Sequence, residues 1–424
     1  MAVSIAGRPM TRRDFLILSG AAATYPFLSG CGGGGDEAPQ GDFFIARNVA
    51  IKPGVVVLPE DGSVSISGLV DSSLTLSGNV PAIPAGTILV SGLGAGFIRR
   101  VNSVTPVGTS VVLGTGVASL EDVFESAEIR FRKKLKQEPG DRIEVHAPGI
   151  RIGRSASRQD DPEGIPIVIP EFSIGGNPGQ NVSAAAKFAA NGLLDLDIDG
   201  EFDFTVTEGL KRVSLILAGD YNGSFTASTE VERTFIDEKA PLFTHVFSVR
   251  RIGNIGPVPL LLIPILTAQV AFKGGFKGKY GTSGDGFFRL AVGFNGRKRP
   301  TGDYDFTPIF APAQSGAFAS PNFFGSVEAE WVPWQLELVT SINALIGPTF
   351  KANLPAFQAS VTPHPSTATV DMEVNAAFSG TVGAQAGLFG LALPIIEIPV
   401  AERKLAPPLF KKTFGPGTGQ ATVH

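Results

Sequence analysis

Residues 194–206 limit what this chain can become more than any other segment. Leu194, Leu196, Ile198, Phe202, Phe204 and Val206 alternate with Asp195, Asp197, Asp199, Glu201, Asp203 and Thr205. Successive side chains of a strand point to opposite faces, so this order makes one apolar face and one acidic face. The dipeptide Asp199-Gly200 invites a two-residue hairpin turn. A hairpin there would set Ile198 against Glu201 and Leu196 against Asp203, mixing apolar and acidic groups. A single strand running through Gly200 keeps them apart. One strand of about 13 residues, roughly 43 Å long, is therefore expected.

Other segments share this style. Phe225, Ala227, Thr229 and Val231 alternate with polar partners, as do Phe288, Leu290, Val292 and Phe294, and Val370, Met372, Val374 and Ala376. Val327, Ala329 and Trp331 hold odd positions, but after Pro333 the apolar set moves to Trp334, Leu336 and Leu338. That change of phase at a proline predicts a bulge or a corner. Residues 255–272 and 388–400 are nearly all apolar but carry Pro257, Pro259, Pro264, Pro394 and Pro399. Each proline deletes a helical hydrogen bond, so these are not expected to be membrane helices. Strands buried on both faces are the first expectation. The lining of an apolar cavity, or a membrane-facing surface, is the second.

Composition agrees with sheet. The chain has 52 Gly and 32 Pro, which leave little room for long helices, and only 17% charged residues. The fold expected is all-β, with a small N-terminal β module (43–146) and a large antiparallel β sandwich or barrel with long strands (171–415). Residues 147–170, with Arg151, Arg154, Arg158, Asp160 and Asp161, read as a linker or long loop. Residues 416–424 read as a disordered tail. Within the module, 55–58, 64–69, 87–90, 97–104, 110–113 and 127–131 are predicted strands. Ser119, with Asp122 three residues on, predicts a capped single turn of helix. The basic group Arg130, Arg132, Lys133, Lys134 and Lys136 reads as a solvated strand face, or as a contact for anionic lipid headgroups.

The N-terminus carries an address. Arg12, Arg13, Phe15 and Leu16 precede an apolar run over 16–28 that contains Pro26 and falls short of the about 20 residues a spanning helix needs. This core resembles the twin-arginine export signal. Leu28, Ser29, Gly30 and Cys31 resemble the lipobox of bacterial lipoproteins, which implies acylation of the Cys31 thiol and cleavage before it. Residues 1–30 then form a signal peptide and 31–42 a glycine-rich tether. Gly32 rather than Asp after the cysteine implies, by the same resemblance, the outer membrane of a Gram-negative bacterium.

A further string resembles a β module that precedes large β-rich regions in bacterial surface and envelope proteins. It runs Gly-Thr-Ile-Leu-Val-Ser-Gly from Gly86, Gly-Phe-Ile-Arg-Arg-Val-Asn-Ser-Val from Gly96, and Ala-Ser-Leu-Glu-Asp-Val-Phe from Ala118. The resemblance covers 86–131 and implies no activity. The glycines of 92–96 lack the third spaced glycine and the following helix of a dinucleotide fingerprint.

Cleavage before Cys31 removes three arginines and one aspartate, moving the formal charge from −4 to −6. An acidic body without a basic aromatic stripe gives no case for nucleic acid. Cys31 is the only cysteine, so the body has no disulfide or zinc–thiolate option. His146, His245, His364 and His424 stand far apart, and no Gly-x-Ser-x-Gly elbow is present. His245 alternates with Phe243 and Phe247 and reads as a partly buried strand histidine. Asp195, Asp197 and Asp199 begin like a calcium loop, but Val206 stands where that loop needs glutamate. Asp195 with Asp197, or Glu328 with Glu330, are the candidate carboxylate pairs for glycoside hydrolysis.

No cofactor motif is visible. The expected function is therefore a lipid-anchored envelope protein with a non-catalytic binding or structural role. Its expected partners are the membrane and an envelope glycan, protein or apolar ligand. The alternatives are a carrier of an apolar ligand in a β cavity and a hydrolase of envelope polymers.

Overall fold

A computed structural model describes residues 41–424, apart from 71, 95, 154–163, 175–184, 232–235, 303, 319–321, 343–344, 365–368, 385–395, 405–409 and 415–424. The export signal, the lipobox, Cys31 and residues 416–424 lie outside the described residues. Contacts separate Met1–Gly41 from Asp42–His424, and the fold is that of the second unit.

The protein is all-β. In chain order its elements are β1 (Phe43–Ile51), β2 (Val55–Val57), β3 (Val64–Val70), β4 (Ser73–Gly78), β5 (Ile88–Ser91), β6 (Phe97–Val107) and β7 (Ser110–Val117). After these come α1 (Leu120–Val123), β8 (Phe124–Lys134), β9 (Arg142–Val145), β10 (Arg151–Ile152), β11 (Ile165–Ile174), β12 (Ala185–Thr205) and β13 (Gly209–Val231). The rest are β14 (Ile236–Val246), β15 (Arg250–Ile255), β16 (Val258–Lys298), β17 (Tyr304–Phe318), β18 (Asn322–Ile342), β19 (Leu345–His364), β20 (Thr369–Ala384), β21 (Ile396–Lys404) and β22 (Phe410–Phe414).

Six strands make a small sheet in the order β2-β5-β6-β7-β4-β3, antiparallel except where β2 runs parallel to β5. Its own core holds Leu58, Val64, Leu74, Leu76, Leu89, Phe97 and Leu113. Ile88, Val90 and Ile98 point the other way, into the main core. This explains the uninterrupted apolar run of β5, which is buried on both faces. The module expected over 43–146 is divided, because β1 and β8 pair with each other and β8 pairs with β12 of the large sheet. The expected linker is also partly sheet: β11 pairs with β12, and Ile165, Ile167 and Ile169 are buried by it.

The helical turn is present as expected. Ser119 and Asp122 form a reciprocal capping box, with the Ser119 N–H donating to Asp122 Oδ2 at 2.9 Å. Asp122 also accepts from Arg100 at 2.6 Å. Ser119→Ala should cost about 0.5–2 kcal/mol, read from the urea midpoint. No change in that midpoint would show that burial of Leu120 and Val123 alone sets the turn.

Among the described residues the large sheet has 16 strands, nine of them along the path β1-β8-β12-β13-β16-β18-β19-β20-β21. β12 spans 21 residues and passes straight through Gly200, as the alternation requires. A side chain at Gly200 would fall inside the ring of Phe131, its cross-strand neighbour. The glycine is thus a seat for an aromatic ring rather than a turn. The expected bulge is also present. Gln269 pairs with Gln335 and Ala271 with Val332, so Pro333 and Trp334 together stand opposite Val270.

β16 is 41 residues long and organises everything around it. One edge pairs in turn with β15, β14 and β13, the other with β18 and β17. Near its start, Pro259 and Leu261 pack where side chains at Gly92 and Gly96 would sit. At its end, the Lys298 ammonium donates to the Glu208 carbonyl in the β12–β13 turn, and the Val206 N–H of that turn donates to the Glu125 carbonyl next to α1. Both ends therefore lie against the N-terminal third of the fold. A straight strand of this length would hold its ends about 130 Å apart. The ribbon must double back.

Its two halves close on one core. Leu196, Ile198, Phe202, Leu215 and Phe294, from the C-terminal half of β16 and the strands on that side, share one cluster with Phe243, Leu260, Leu262, Leu266 and Leu336 from its N-terminal half and the strands paired there. The core side of β1 meets β15 in the same way, with Phe44 occupying the space beside Gly253. Residues 258–262 are buried on both faces, as expected for the proline-rich stretch. From 263 to 270 burial alternates, because β14 and β18 take over as partners and one face turns outward.

Candidate functional site

Two polar assemblies stand out. The first is a ladder of charge across β8, β12, β13 and β16. Register sets Asp199 opposite Arg132 and Glu201 opposite Arg130. Arg132 grips Asp199 with two donors, at 2.5 and 3.1 Å. Glu201 accepts from Arg130 at 3.1 Å and from Arg212 at 3.0 Å. Lys134 reaches diagonally to Asp195 at 2.7 Å. Asp195 stands opposite Asp220, which is in turn held by Arg289 of β16.

The acidic row and the basic group of the sequence are thus two halves of one structure. Of the calcium-like aspartates, Asp195 is paired with the Lys134 ammonium and Asp199 with the Arg132 guanidinium. Among the described residues no cluster of three or more His, Cys, Asp or Glu could hold a metal. Asp203 differs from the rest of the row. Partial burial, with Glu128 directly opposite, pushes its carboxyl up against the pull of Lys211 and Arg212.

The second assembly is a buried knot of Asp141, His245 and Arg250. Residues 138–141 read Glu-Pro-Gly-Asp and form a tight turn, closed by the Asp141 N–H donating to the Glu138 carbonyl. Pro139 presets the first corner, and Gly140 at φ 97° supplies the left-handed second one. The Asp141 side chain accepts from Ser248 N, Glu138 N, His245 Nε2 and Arg250 Nη2, at 2.8 to 3.1 Å. Side-chain exposure is 0% for His245 and 1% for both Asp141 and Arg250. Burial alone would push the Asp141 carboxyl up, but these four donors outweigh it and hold it below the usual carboxylate range. Arg250 also donates to Glu138 at 3.0 Å and to the Lys136 carbonyl at 2.9 Å. Phe247 stacks on the His245 ring at 3.9 Å and lies under the Arg250 guanidinium at 5.6 Å.

No protein-family model, curated protein or solved structure matches this chain.

The remaining candidates are scattered. His146 contacts Thr244 at 3.0 Å on an exposed edge. His364 ends β19 opposite Thr369, on a strand that does not pair with β14, which carries His245. Glu328 and Glu330 lie on β18 in register with Ser360 and Gln358, and their side chains lie outside what is described. His424 and Arg154 are outside the described residues. Gly92 and Gly96 prove to be packing glycines, giving Pro259 and Leu261 of β16 close access to the small sheet.

Sequence reasoning placed His245 on a strand but only partly buried; it is completely buried. It missed Asp141 and Arg250. The signal available was the Glu-Pro-Gly-Asp turn together with an inward-pointing histidine that must find a partner.

Proposed function

We propose that this chain is an exported, lipid-anchored protein of the bacterial cell envelope with a structural or binding role. The observation that carries the reading is the chain's only cysteine, placed in Leu28-Ser29-Gly30-Cys31 behind Arg12-Arg13-x-Phe15-Leu16. The start of the body fits a tethered chain. Asp42 is fastened to β8 by the Lys134 N–H and the Lys133 ammonium, both at 2.7 Å, so pull on the tether would meet an anchored strand. The charge ladder supports a non-catalytic role. Its carboxylates are bound by Arg130, Arg132, Lys134, Arg212 and Arg289 across a sheet face rather than set around a cleft.

The test is Cys31→Ser in the native host, with fractionation of envelopes and mass spectrometry of the N-terminus. The expected result is loss of the acyl adduct and release of most of the protein from membranes. A single acyl chain gives only marginal binding, so two or more chains on Cys31 are expected in the wild type. Unchanged sedimentation of the serine variant with envelopes would overturn the proposal.

A further inference from the structure

We propose that the Asp141–His245–Arg250 knot is an acid-sensitive latch: a second proton on His245 frees the corner between β14 and β15 from the Glu138–Asp141 turn. The inference does not depend on the lipid anchor.

The geometry carries it. His245 Nε2 lies 2.9 Å from Asp141 Oδ2, so the neutral ring keeps its proton on Nε2 and donates it there. Nδ1 is fully buried and has no hydrogen-bond partner. Its surroundings are apolar: Ile143 of β9 and Leu266 of β16 stand opposite His245 in register, and Phe247 covers one ring face. A second proton would place an N–H donor where nothing accepts it. It would also add a positive charge beside Arg250, with Asp141 as the one buried anion for both.

Among the described residues no other charge offsets this. Glu138 is half-exposed and already binds Arg250. Arg142 and Glu144 of β9 flank Ile143, so they lie on the other face of the strand, where they pair with each other. Burial, reinforced by Arg250 and opposed by Asp141, accordingly pushes the imidazole below its ordinary 6.5.

The sign follows from that direction. A histidine depressed in the fold contributes stability above pH 6.5, which is lost as pH falls from 6.5 toward its folded value. The Asp141 carboxyl is also depressed, but its contribution is lost only below 3.8, so the two windows separate. What opens is specific. The corner at 247–249 leads into β15 and the β15–β16 hairpin, whose start packs on the small sheet at Gly92 and Gly96. Releasing the corner loosens the bridge between the two sheets.

Hydrogen exchange by mass spectrometry on the full chain at pH 7.5 and 5.0, corrected for intrinsic rates, tests this. Amides of 138–146 and 242–252 should exchange up to about 30-fold faster at pH 5.0, the ceiling for a group that titrates at 6.5 only when released. Amides of β3 and β4, at the far edge of the small sheet, should not change. His245→Gln can keep a donor on Asp141 but cannot titrate, and should cut the response to under about twofold.

Should that variant not fold, 13C-labelled histidine NMR of the unaltered chain decides. A His245 resonance with a midpoint below 6.5 that coincides with opening supports the latch. It is overturned by a ring titrating at 6.5 without opening, by an exchange pattern insensitive to pH, or by a glutamine variant that responds like the parent.

Discussion

Asp141→Ala should destabilise the fold by about 3–5 kcal/mol, the usual cost of removing one partner of a buried ion pair. The size follows from what is left behind. Arg250 stays 1% exposed with only the half-exposed Glu138 as counter-charge, and the Ser248 and Glu138 N–H groups lose their acceptor. A buried charge without compensation costs far more than the intact pair contributes. The double variant Asp141→Ala, Arg250→Met should therefore be less damaging than the sum of the two single changes. The two residues share one network, so additivity fails. Urea unfolding of the three variants measures this. Strict additivity, or a loss under about 1 kcal/mol for Asp141→Ala, would show that the knot is not a coupled unit.

Phe131→Ala is expected to cost about 3–5 kcal/mol, the range for emptying a buried aromatic site. Phe131 is 1% exposed, lies over Gly200 and stacks against Phe202 at 6.1 Å between centroids. Gly200→Ala places a methyl against the same ring and should cost about 1–3 kcal/mol through overpacking. In the Phe131→Ala background that second cost should vanish, because the space is then open. If Gly200→Ala remains equally harmful without the ring, its effect comes from the strand backbone and not from the aromatic seat.

These two sites show where sequence speaks and where it stops. Strand β12 was legible because alternation acts over neighbours: the apolar residues from Leu194 to Phe204 sort themselves onto one face with no knowledge of partners. The Ser119–Asp122 capping box was legible for the same reason, since both residues belong to one turn. The phase slip at Pro333 was legible because a bulge is a local miscount.

The ladder was only half legible. Each row could be seen, but an acidic row read alone suggests cations or catalysis, and a basic row read alone suggests anionic lipid. Register decides the matter, and register joins Arg132 to Asp199 across 67 positions. The knot was illegible because Asp141 and His245 lie 104 positions apart and meet only through the pairing of β9 with β14. The turning back of β16 likewise leaves no mark in its alternation, which reads the same whether the strand is straight or coiled. The divided module and the strand inside the expected linker have the same origin: which sheet a strand joins depends on distant partners.

The doubling back of β16 has a kinetic price. Its hairpins with β15 and β17 are local, but the contacts that close it, such as Pro259 and Leu261 on Gly92 and Gly96, join residues remote in sequence. Such high-contact-order topologies fold in milliseconds to seconds or longer, with open strand edges exposed meanwhile. If the chain is exported as proposed above, it would gain by completing this fold before it crosses the membrane.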